Sequence, residues 1–255
     1  MKNTAFKILI VVMLFVLSAF SSKQKKITIY IIGDSTAANK SAKAYPETGW
    51  GMELQSFFKT DVVVDNRVLN GRSTKSFRAE KHWEPVLRQL MPGDYVFIEF
   101  GHNDEKIEKP GIGTSLSEFK SNLINYVLEV RKKRAIPVLL TPISRRSFKN
   151  GILVNSHGDY PNVTRKVADS LNVPMIDMLV KTEKLLSNLG DLSSIKLFNY
   201  VDSGHINYPI GKKDDTHLSP DGAKQVAGLV VQGIKEERLK LAKRLKKWKP
   251  IAQLI

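Results

Sequence analysis

A serine that closes an apolar run is the first residue of this chain that could act as a nucleophile. The apolar, mostly β-branched residues 27–32 are typical of a buried strand, and the run stops at the turn Gly33-Asp34-Ser35-Thr36. Such a turn leaves the Ser35 hydroxyl at the carboxyl end of the strand, which is the edge where open α/β sheets bind ligands. We therefore expect Ser35 to lie in a ligand site.

A candidate base for this serine lies near the other end of the chain, in Asp214-Asp215-Thr216-His217. The His217 imidazole can take the serine proton, and a carboxylate can hold its tautomer and stabilise its charged form. If the segment turns once, Asp214 reaches the second ring nitrogen, and we assign it that role. Asp215 stays open as the alternative, because spacing alone does not fix the direction of a side chain.

Acyl transfer also needs N–H donors that point at the negative oxygen of the reaction intermediate. Three candidates fall at predicted strand ends: the backbone N–H of Ser35, the backbone N–H of Gly71 and the side-chain amide of Asn103. Glycine allows the backbone to approach a ligand closely, and asparagine donates without carrying charge. Each residue alone is equally typical of a turn or a cap, and the interpretation as an oxyanion hole depends on all three together.

These residues require strands that end on one edge of a sheet. After the first strand, apolar runs predict strands at 62–64, 95–100, 137–142 and 173–177. Helical spacing predicts a helix after the Ser35 loop, helices at 116–130 and 161–171, and a last helix that begins at Ser219-Pro220. Residues 192–213 are predicted to form a long loop. The alternation predicts an α/β fold with a mostly parallel sheet of about five strands and helices on both faces.

Four short blocks resemble, in order, the signature blocks of the SGNH (GDSL-like) hydrolases, and together they look most like the branch containing rhamnogalacturonan acetylesterases. The blocks are Gly33-Asp34-Ser35-Thr36, Asn70-Gly71-Arg72-Ser73, Gly101-His102-Asn103-Asp104 and Asp214-Asp215-Thr216-His217, and Gly49-Trp50-Gly51 is similar to a further segment of that branch. The resemblance implies a three-layer, flavodoxin-like α/β/α fold. It also implies Ser35 as the nucleophile, Asp214 and His217 as the rest of a triad, and Ser35, Gly71 and Asn103 as oxyanion donors.

The resemblance implies a serine esterase, a carboxylic ester hydrolase that removes acetyl groups from a plant cell-wall polysaccharide such as rhamnogalacturonan or pectin. The alternatives are an acetylxylan esterase, another SGNH carbohydrate esterase or a lysophospholipase. Threonine follows Ser35 where many GDSL lipases have leucine, which argues against a lipase. From another class of protein, a catalytically inactive polysaccharide-binding protein is the remaining alternative.

Three further residues are candidates for substrate binding. The forked guanidinium of Arg72 could bind a substrate carboxylate, His102 could line the pocket, and His205 could touch substrate from the long loop. By contrast, Glu99 inside an apolar strand is expected to be structural, paired with a cation or turned to the surface. His82 and His157 are expected at the surface.

The amino-acid composition limits the classes of molecule that this protein is expected to bind. The chain has 40 Lys and Arg against 25 Asp and Glu, a net charge of +15, which favours an acidic polysaccharide over a neutral one. Many of the cations fall between 235 and 249, where a solvated helical face is expected. We find no nucleic-acid motif. Cysteine is absent, and no His, Asp and Glu cluster has metal-ligand spacing, so no metal and no cofactor are expected.

The first residues have the layout of a secretory signal peptide. Two lysines lie within the first seven residues, an apolar run extends over 8–20, and small polar residues follow. We therefore predict a signal peptide at 1–22, a single hydrolase domain with a basic C-terminal helix at 23–255, and a secreted or periplasmic protein without stable membrane insertion after cleavage. An uncleaved N-terminal anchor is the alternative, and the oligomeric state is open.

Overall fold

A computed structural model describes residues 26–247. Its strands are β1 (Ile27–Gly33), β2 (Val62–Asn66), β3 (Tyr95–Glu99), β4 (Ile136–Leu140), β5 (Phe148–Lys149), β6 (Ile152–Leu153) and β7 (Met175–Ile176). Five of them form one parallel sheet in the order β2-β1-β3-β4-β7, and β5 and β6 pair as a small antiparallel hairpin. The predicted parallel sheet is confirmed.

The strand order creates the place for a site. β1 pairs with β2 on one side and with β3 on the other, so the connections on its two sides run in opposite directions across the sheet. In flavodoxin-like sheets a crevice opens at this reversal, outside the carboxyl ends of the strands. Ser35 follows β1 and Asn103 follows β3, and both therefore lie at the crevice.

Helices cover the sheet on both faces. The α-helices are α1 (Trp50–Glu53), α2 (Thr74–Ala79), α3 (Trp83–Gln89), α4 (Leu116–Lys132), α5 (Tyr160–Leu171), α6 (Met178–Ser194) and α7 (Pro220–Glu236). Short 3-10 helices occupy Ala42–Ala44, Leu54–Phe57, Ile195–Leu197 and Lys240–Arg244. The last helix begins after Ser219, as predicted, and its buried face includes Ala223, Val226, Ala227, Val230 and Ile234.

Alternate residues of β1 supply two separate apolar cores. Ile29 and Ile31 pack into the core beneath α1 and α7, whereas Tyr30 and Ile32 pack into the core beneath α3, α4 and α5. A strand buried on both faces explains why β1 reads as an unbroken apolar run rather than as an alternating one. β1 is therefore held on every side, and the turn that follows it starts from a rigid base.

The long loop predicted at 192–213 is shorter in the structure. The segment 192–213 is not one loop, because α6 continues to Ser194 and a 3-10 turn to Leu197 follows it. α6 begins at an N-cap, Asp177, whose carboxylate accepts the backbone N–H of Val180. The long loop therefore begins after Leu197, close to the His217 segment.

The basic C-terminal residues do not extend the last helix. α7 ends at Glu236, and the chain returns along the body as a 3-10 turn. The backbone N–H of Lys246 donates to the carbonyl of Phe57 at 2.8 Å, and Arg244 pairs with Asp61. The predicted signal peptide lies outside the described residues. Between residues 26 and 247, none of the helices combines the length and apolar character needed to cross a membrane.

Candidate active site

The turn after β1 is built on a buried carboxylate. Asp34 is fully buried, and its Oδ1 accepts the backbone N–H of Thr36 at 3.2 Å and lies 3.0 Å from the Thr36 hydroxyl. The backbone N–H of Ala37 closes the turn on the Asp34 carbonyl at 3.3 Å. The turn holds Asp34 and Thr36 inward and leaves Ser35 half-buried at the surface.

Ser35, His217 and Asp214 form one hydrogen-bonded chain. Nε2 of His217 lies 2.9 Å from Oγ of Ser35, and Nδ1 lies 2.8 Å from Oδ2 of Asp214. A carboxylate only accepts, so Nδ1 carries the proton and Nε2 is free to accept the serine hydroxyl. The structure therefore brings the three predicted residues together in an arrangement that can remove the serine proton.

The Asp214 carboxylate is held in place and kept ionised. Its Oδ1 accepts the backbone N–H groups of Thr216 at 2.9 Å and of His217 at 3.0 Å. Burial acts to raise the pKa of Asp214, but the hydrogen bonds from the His217 ring and from these backbone groups outweigh it and hold that pKa well below its usual range. The carboxylate is available to orient the histidine throughout the range in which proteins are stable.

Asp215 faces away from His217. Its Oδ1 accepts from Arg146 at 2.7 Å and from the Tyr200 hydroxyl at 2.7 Å, and its side chain is half exposed. Arg146 also pairs with Asp191. Of the two carboxylates that spacing left open, the structure places Asp214 on the imidazole and Asp215 on an arginine.

The three predicted oxyanion donors lie in turns beyond the carboxyl ends of neighbouring strands. Gly71 has φ of +75°, and nothing lies within 4 Å of the position of a Cβ there. Its glycine is therefore required by backbone conformation rather than by crowding. Nδ2 of Asn103 donates to the carbonyl of Arg72, the residue after Gly71, at 3.1 Å. Within residues 26–247, the backbone N–H groups of Ser35 and Gly71 have no acceptor, so both can serve a ligand.

Two lysines that sequence analysis missed contact the side chains of the two asparagines at this edge. Lys106 donates to Oδ1 of Asn103 at 2.7 Å. Lys40, whose side chain is 2% exposed, donates to Oδ1 of Asn70 at 2.8 Å and pairs with Glu47 at 2.6 Å. No motif marks either lysine, and only the three-residue spacing from Asn103 to Lys106, one turn of chain, could have suggested the first.

Glu47 brings a second carboxylate to the His217 side of the site. One of its oxygens lies within 4.8 Å of an Asp214 oxygen and of a His217 ring nitrogen. The backbone N–H of Thr48 donates to the carbonyl of Leu218 at 2.9 Å, which ties the two segments together. The Lys40 ammonium balances the negative charge of the Glu47 carboxylate. Through Asn70, it also links this carboxylate to the loop that carries Gly71.

Three buried titratable groups lie beneath Ser35. Glu99 is fully buried and lies 3.2 Å from the Thr36 hydroxyl, and Nδ1 of His102 lies 3.1 Å from Oδ2 of Asp34. Burial and the nearby charge of Asp34 raise the pKa of Glu99 well above its ordinary value. Burial lowers the pKa of His102 to about 4. Burial therefore disfavours the charged forms of Glu99 and His102. The pKa of Asp34 is instead lowered to about 2, because its contact with His102 and the hydrogen bonds from Thr36 outweigh the effect of burial.

These positions correct two expectations. Glu99 is fully buried rather than turned to the surface, and within residues 26–247 it contacts the Thr36 hydroxyl and forms no ion pair. His157 is not at the surface either: it is buried, its Nε2 lies 2.8 Å from the Ile143 carbonyl, and its Nδ1 lies 2.8 Å from Glu105. Both groups belong to the support beneath the site.

The three predicted substrate contacts have different surroundings. The Arg72 guanidinium is occupied by Glu80, at 2.6 Å and 2.9 Å, and by the Asn70 carbonyl. His102 is 2% exposed and faces Asp34, so it supports the turn and does not line the pocket. His205 is half-buried on the long loop, with its ring 6.4 Å from that of exposed Tyr45.

Two groups of side chains in the described part of the chain have their donor atoms close enough for a metal ion, Asp34 with Glu99 and His102, and Glu47 with Asp214 and His217. In the second group, Asp214 and Ser35 already occupy both ring nitrogens of His217. In the first, Nδ1 of His102 contacts Asp34, and the Glu99 carboxyl group contacts the Thr36 hydroxyl. Hydrogen bonding therefore accounts for both groups.

A parallel sheet with this hydrogen-bonded serine at its carboxyl edge defines an SGNH-type hydrolase fold. A sequence profile described as the GDSL-like Lipase/Acylhydrolase family matches residues 31–225, and the chain belongs to this family. The predicted family resemblance is confirmed.

Named relatives and solved structures support the same assignment. The chain is 37% identical over 224 residues to the rhamnogalacturonan acetylesterase RhgT of Bacillus subtilis, covering 87% of this chain and 95% of that protein. It is 24% identical to a rhamnogalacturonan acetylesterase of Emericella nidulans, covering 81% of this chain and 84% of that protein.

The crystal structure of the YxiM protein of Bacillus subtilis is similar with a TM-score of 0.73 and 26% identity, covering 85% of this chain and 58% of that longer one. An acetylxylan esterase from Geobacillus stearothermophilus has a TM-score of 0.60 at 19% identity, covering 82% of this chain and 94% of that one. At that identity the second structure shows the fold alone.

Proposed function

We propose that this protein is a serine esterase that removes acetyl groups from a plant cell-wall polysaccharide, with acetylated rhamnogalacturonan as its substrate. The observation that carries the proposal is the hydrogen-bonded chain from Ser35 through His217 to Asp214. Similarity to RhgT over most of both chains supports the choice of substrate.

The reaction begins when the Ser35 hydroxyl attacks the acetyl carbonyl carbon. Its proton passes to Nε2 of His217, 2.9 Å away, and the Asp214 carboxylate stabilises the resulting imidazolium. The carbonyl oxygen becomes an oxyanion, which accepts hydrogen bonds from the Ser35 and Gly71 backbone N–H groups and from the Asn103 amide.

The intermediate collapses as the bond to the sugar oxygen breaks. His217 returns the proton to that oxygen, the sugar hydroxyl leaves, and the acetyl group stays on Ser35 as an ester. His217 then takes a proton from water, whose oxygen attacks the acyl carbon. The second tetrahedral intermediate releases acetate, and the proton returns to Ser35.

Replacing the nucleophile tests this function. We expect Ser35→Ala to reduce kcat on a small acetyl ester by at least about a thousandfold, because the variant lacks the hydroxyl that carries the acyl group. Ser203→Ala removes an exposed loop serine and is expected to keep wild-type activity. Activity of S35A equal to that of S203A would overturn the esterase proposal.

The substrate needs a separate measurement. Acetate released by the wild-type protein should be compared on acetylated rhamnogalacturonan, acetylated xylan and acetylated mannan at equal acetyl content. We expect the highest kcat/KM on rhamnogalacturonan. A higher value on xylan would replace the proposed substrate while leaving the esterase chemistry intact.

We also propose that the protein is exported, which is supported by the charge and apolar pattern of residues 1–22. Expression of the full chain in a bacterial host should yield esterase activity outside the cytoplasm and a mature protein whose N-terminal sequence begins near residue 23. An intact Met1 on the active protein would contradict cleavage.

A further inference from the structure

Lys106 lies directly behind the amide that is assigned to the oxyanion hole. Its ammonium donates to Oδ1 of Asn103 at 2.7 Å, and its backbone N–H donates to the Asn103 carbonyl at 3.2 Å. Lys106 is half-buried. In the part of the chain that the structure describes, its ammonium forms no ion pair with a carboxylate, so charge pairing does not explain its position.

An ammonium contact determines which way an asparagine amide faces. Asparagine presents an oxygen that only accepts and a nitrogen that only donates, and an ammonium only donates. The atom of Asn103 that faces Lys106 must therefore be Oδ1. Nδ2 must face the opposite way, where one of its hydrogens is donated to the Arg72 carbonyl at 3.1 Å.

This orientation leaves the second hydrogen of Nδ2 available next to Arg72, the residue that follows Gly71. Were the amide rotated by half a turn, Oδ1 would face both the Arg72 carbonyl and the oxyanion, and two pairs of acceptors would repel one another. A fixed donor that needs no reorganisation during the reaction is what makes an oxyanion hole effective. The ammonium also adds positive charge behind the amide, which favours the same charge distribution.

We propose that Lys106 is a positioning residue that holds the Asn103 amide with its N–H groups toward the oxyanion. The inference rests on the proposed esterase function and extends it to a residue that does not touch the reacting atoms. Glu105, the neighbour of Lys106 in the chain, pairs instead with Arg145 and His157 and has no part in this role.

The test is a double-mutant cycle with a matched control. Lys106→Met removes the donor, and Lys109→Met removes the same charge from an exposed position three residues on. On a small neutral acetyl ester, we expect K106M to lower kcat about 10- to 100-fold with KM within about twofold, because one oxyanion donor is worth about 100- to 1,000-fold. K109M should stay within about twofold of wild type, and Lys106→Arg, which keeps the donor, should recover most of the activity.

The background variant Asn103→Ala separates positioning from general damage. In N103A, adding K106M should cause no further loss, because the amide that Lys106 orients is gone. If the losses of kcat in the two single variants multiply in the double variant, the inference is wrong. It is also wrong if the kcat of K106M equals that of K109M. Thermal unfolding of each variant checks the fold, and Lys106→Leu, which also lacks a donor, replaces K106M if the latter does not fold.

A spectroscopic readout tests the same point without turnover. The side-chain amide signals of Asn103, assigned by their loss in N103A, should shift in K106M and remain unchanged in K109M; signals unmoved in both would contradict the orientation argument. If S35A retains activity, the esterase proposal itself fails. If S35A is inactive and K106M is fully active, only the role of Lys106 fails.

Discussion

Asp214 and Asp215 are adjacent carboxylates whose partners differ because successive side chains leave a turn in different directions. Asp214 meets the ring of His217, and Asp215 meets Arg146 and Tyr200 on the outer side. Residue type and spacing could not separate them, whereas the hydrogen bonds do.

The two aspartates can be tested as a pair. We expect Asp214→Asn to lower kcat on a small acetyl ester by about a thousandfold or more, because an amide can hold the imidazole in the wrong tautomer and cannot stabilise its charge. Asp215→Asn should stay within about threefold, since it alters a half-exposed ion pair. If kcat falls by a similar factor in the two variants, the ion pair of Asp215 with Arg146 also contributes to catalysis.

Glu99 is a buried carboxylic acid, and its burial reduces the stability of the folded protein when the acid ionises. Because the pKa of Glu99 is raised in the folded state by burial and by Asp34, the unfolded chain loses this proton at lower pH than the folded protein does. Stability is therefore lost as pH rises from the ordinary pKa toward the folded one, by up to about 1.4 kcal/mol per pH unit.

Glu99→Gln removes this titration and keeps the shape of the side chain. We expect the free energy of unfolding of E99Q to increase relative to that of wild type as pH rises. Both values are measured with urea between pH 5 and 8. His102 and Asp104 also titrate, since burial lowers the pKa of His102 to about 4 and raises the pKa of Asp104 to about 7. Both groups are present in the two proteins, so their contributions largely cancel. Glu84→Gln, at an exposed position of α3, serves as control, and its free energy of unfolding should change with pH as that of wild type does. If the free energy of unfolding of E99Q also changes with pH as that of wild type does, the pKa of Glu99 is not raised.

How much of the site could be predicted depends on what each residue contacts. Ser35, Gly71, Asn103 and His217 are recognisable because the chemistry requires those residue types at strand ends and before a helix. Lys40, Glu47 and Lys106 act through other side chains, and many surface positions carry the same types. Their roles follow from distances, which no single sequence contains.

At the scale of elements, the segment at the start of α1 braces the Ser35 loop. The backbone N–H of Trp50 donates to the Thr36 carbonyl at 3.0 Å, and a Cβ on Gly49 would lie 2.1 Å from the carbonyl oxygen of Ala38. Gly49 has φ of −84°, so alanine there is excluded by the neighbouring backbone and not by its own conformation. The loop after Ser35 and this segment can move only together.

Gly49→Ala tests that brace. We expect it to lower kcat at least about tenfold and stability by about 1–3 kcal/mol, since the clash is with backbone and must displace the loop. Gly111→Ala is a matched control with open space around its Cβ and φ of +79°, so it adds only backbone strain of about 1 kcal/mol far from Ser35 in sequence. Full activity of G49A would show that the loop tolerates the shift.

The five strands of the sheet were predictable because each is a short apolar run between turn residues, whereas the two-residue strands β5 and β6 were not predicted. α6 was not predicted, although Asp177 is a recognisable N-cap, because its apolar residues continue directly from a two-residue strand and Gly190 interrupts the pattern with φ of +74°. α2 and α3 have only six and seven residues, which is too short to show a clear helical period. Tertiary packing, rather than local periodicity, determines these elements.

At the scale of the whole molecule, the net charge of +15 should act on the encounter with an acidic polymer. We expect kcat/KM on acetylated rhamnogalacturonan to fall at least about threefold between roughly 0.05 and 0.5 M salt, because screening shortens the reach of the charge. The value on a small neutral acetyl ester should stay constant and serves as control. Equal salt dependence on both would assign the effect to the site rather than to the overall charge.

Ser35 and His217 are 182 positions apart, one after the first strand and the other just before the last helix. Hydrolytic competence therefore arises only when both ends of the chain have met across the finished sheet. During refolding, recovered activity should report the final assembly step and lag behind the return of helical signal. By the same geometry, any fragment that ends between Ser35 and His217 lacks one of the two groups and should be inactive by itself.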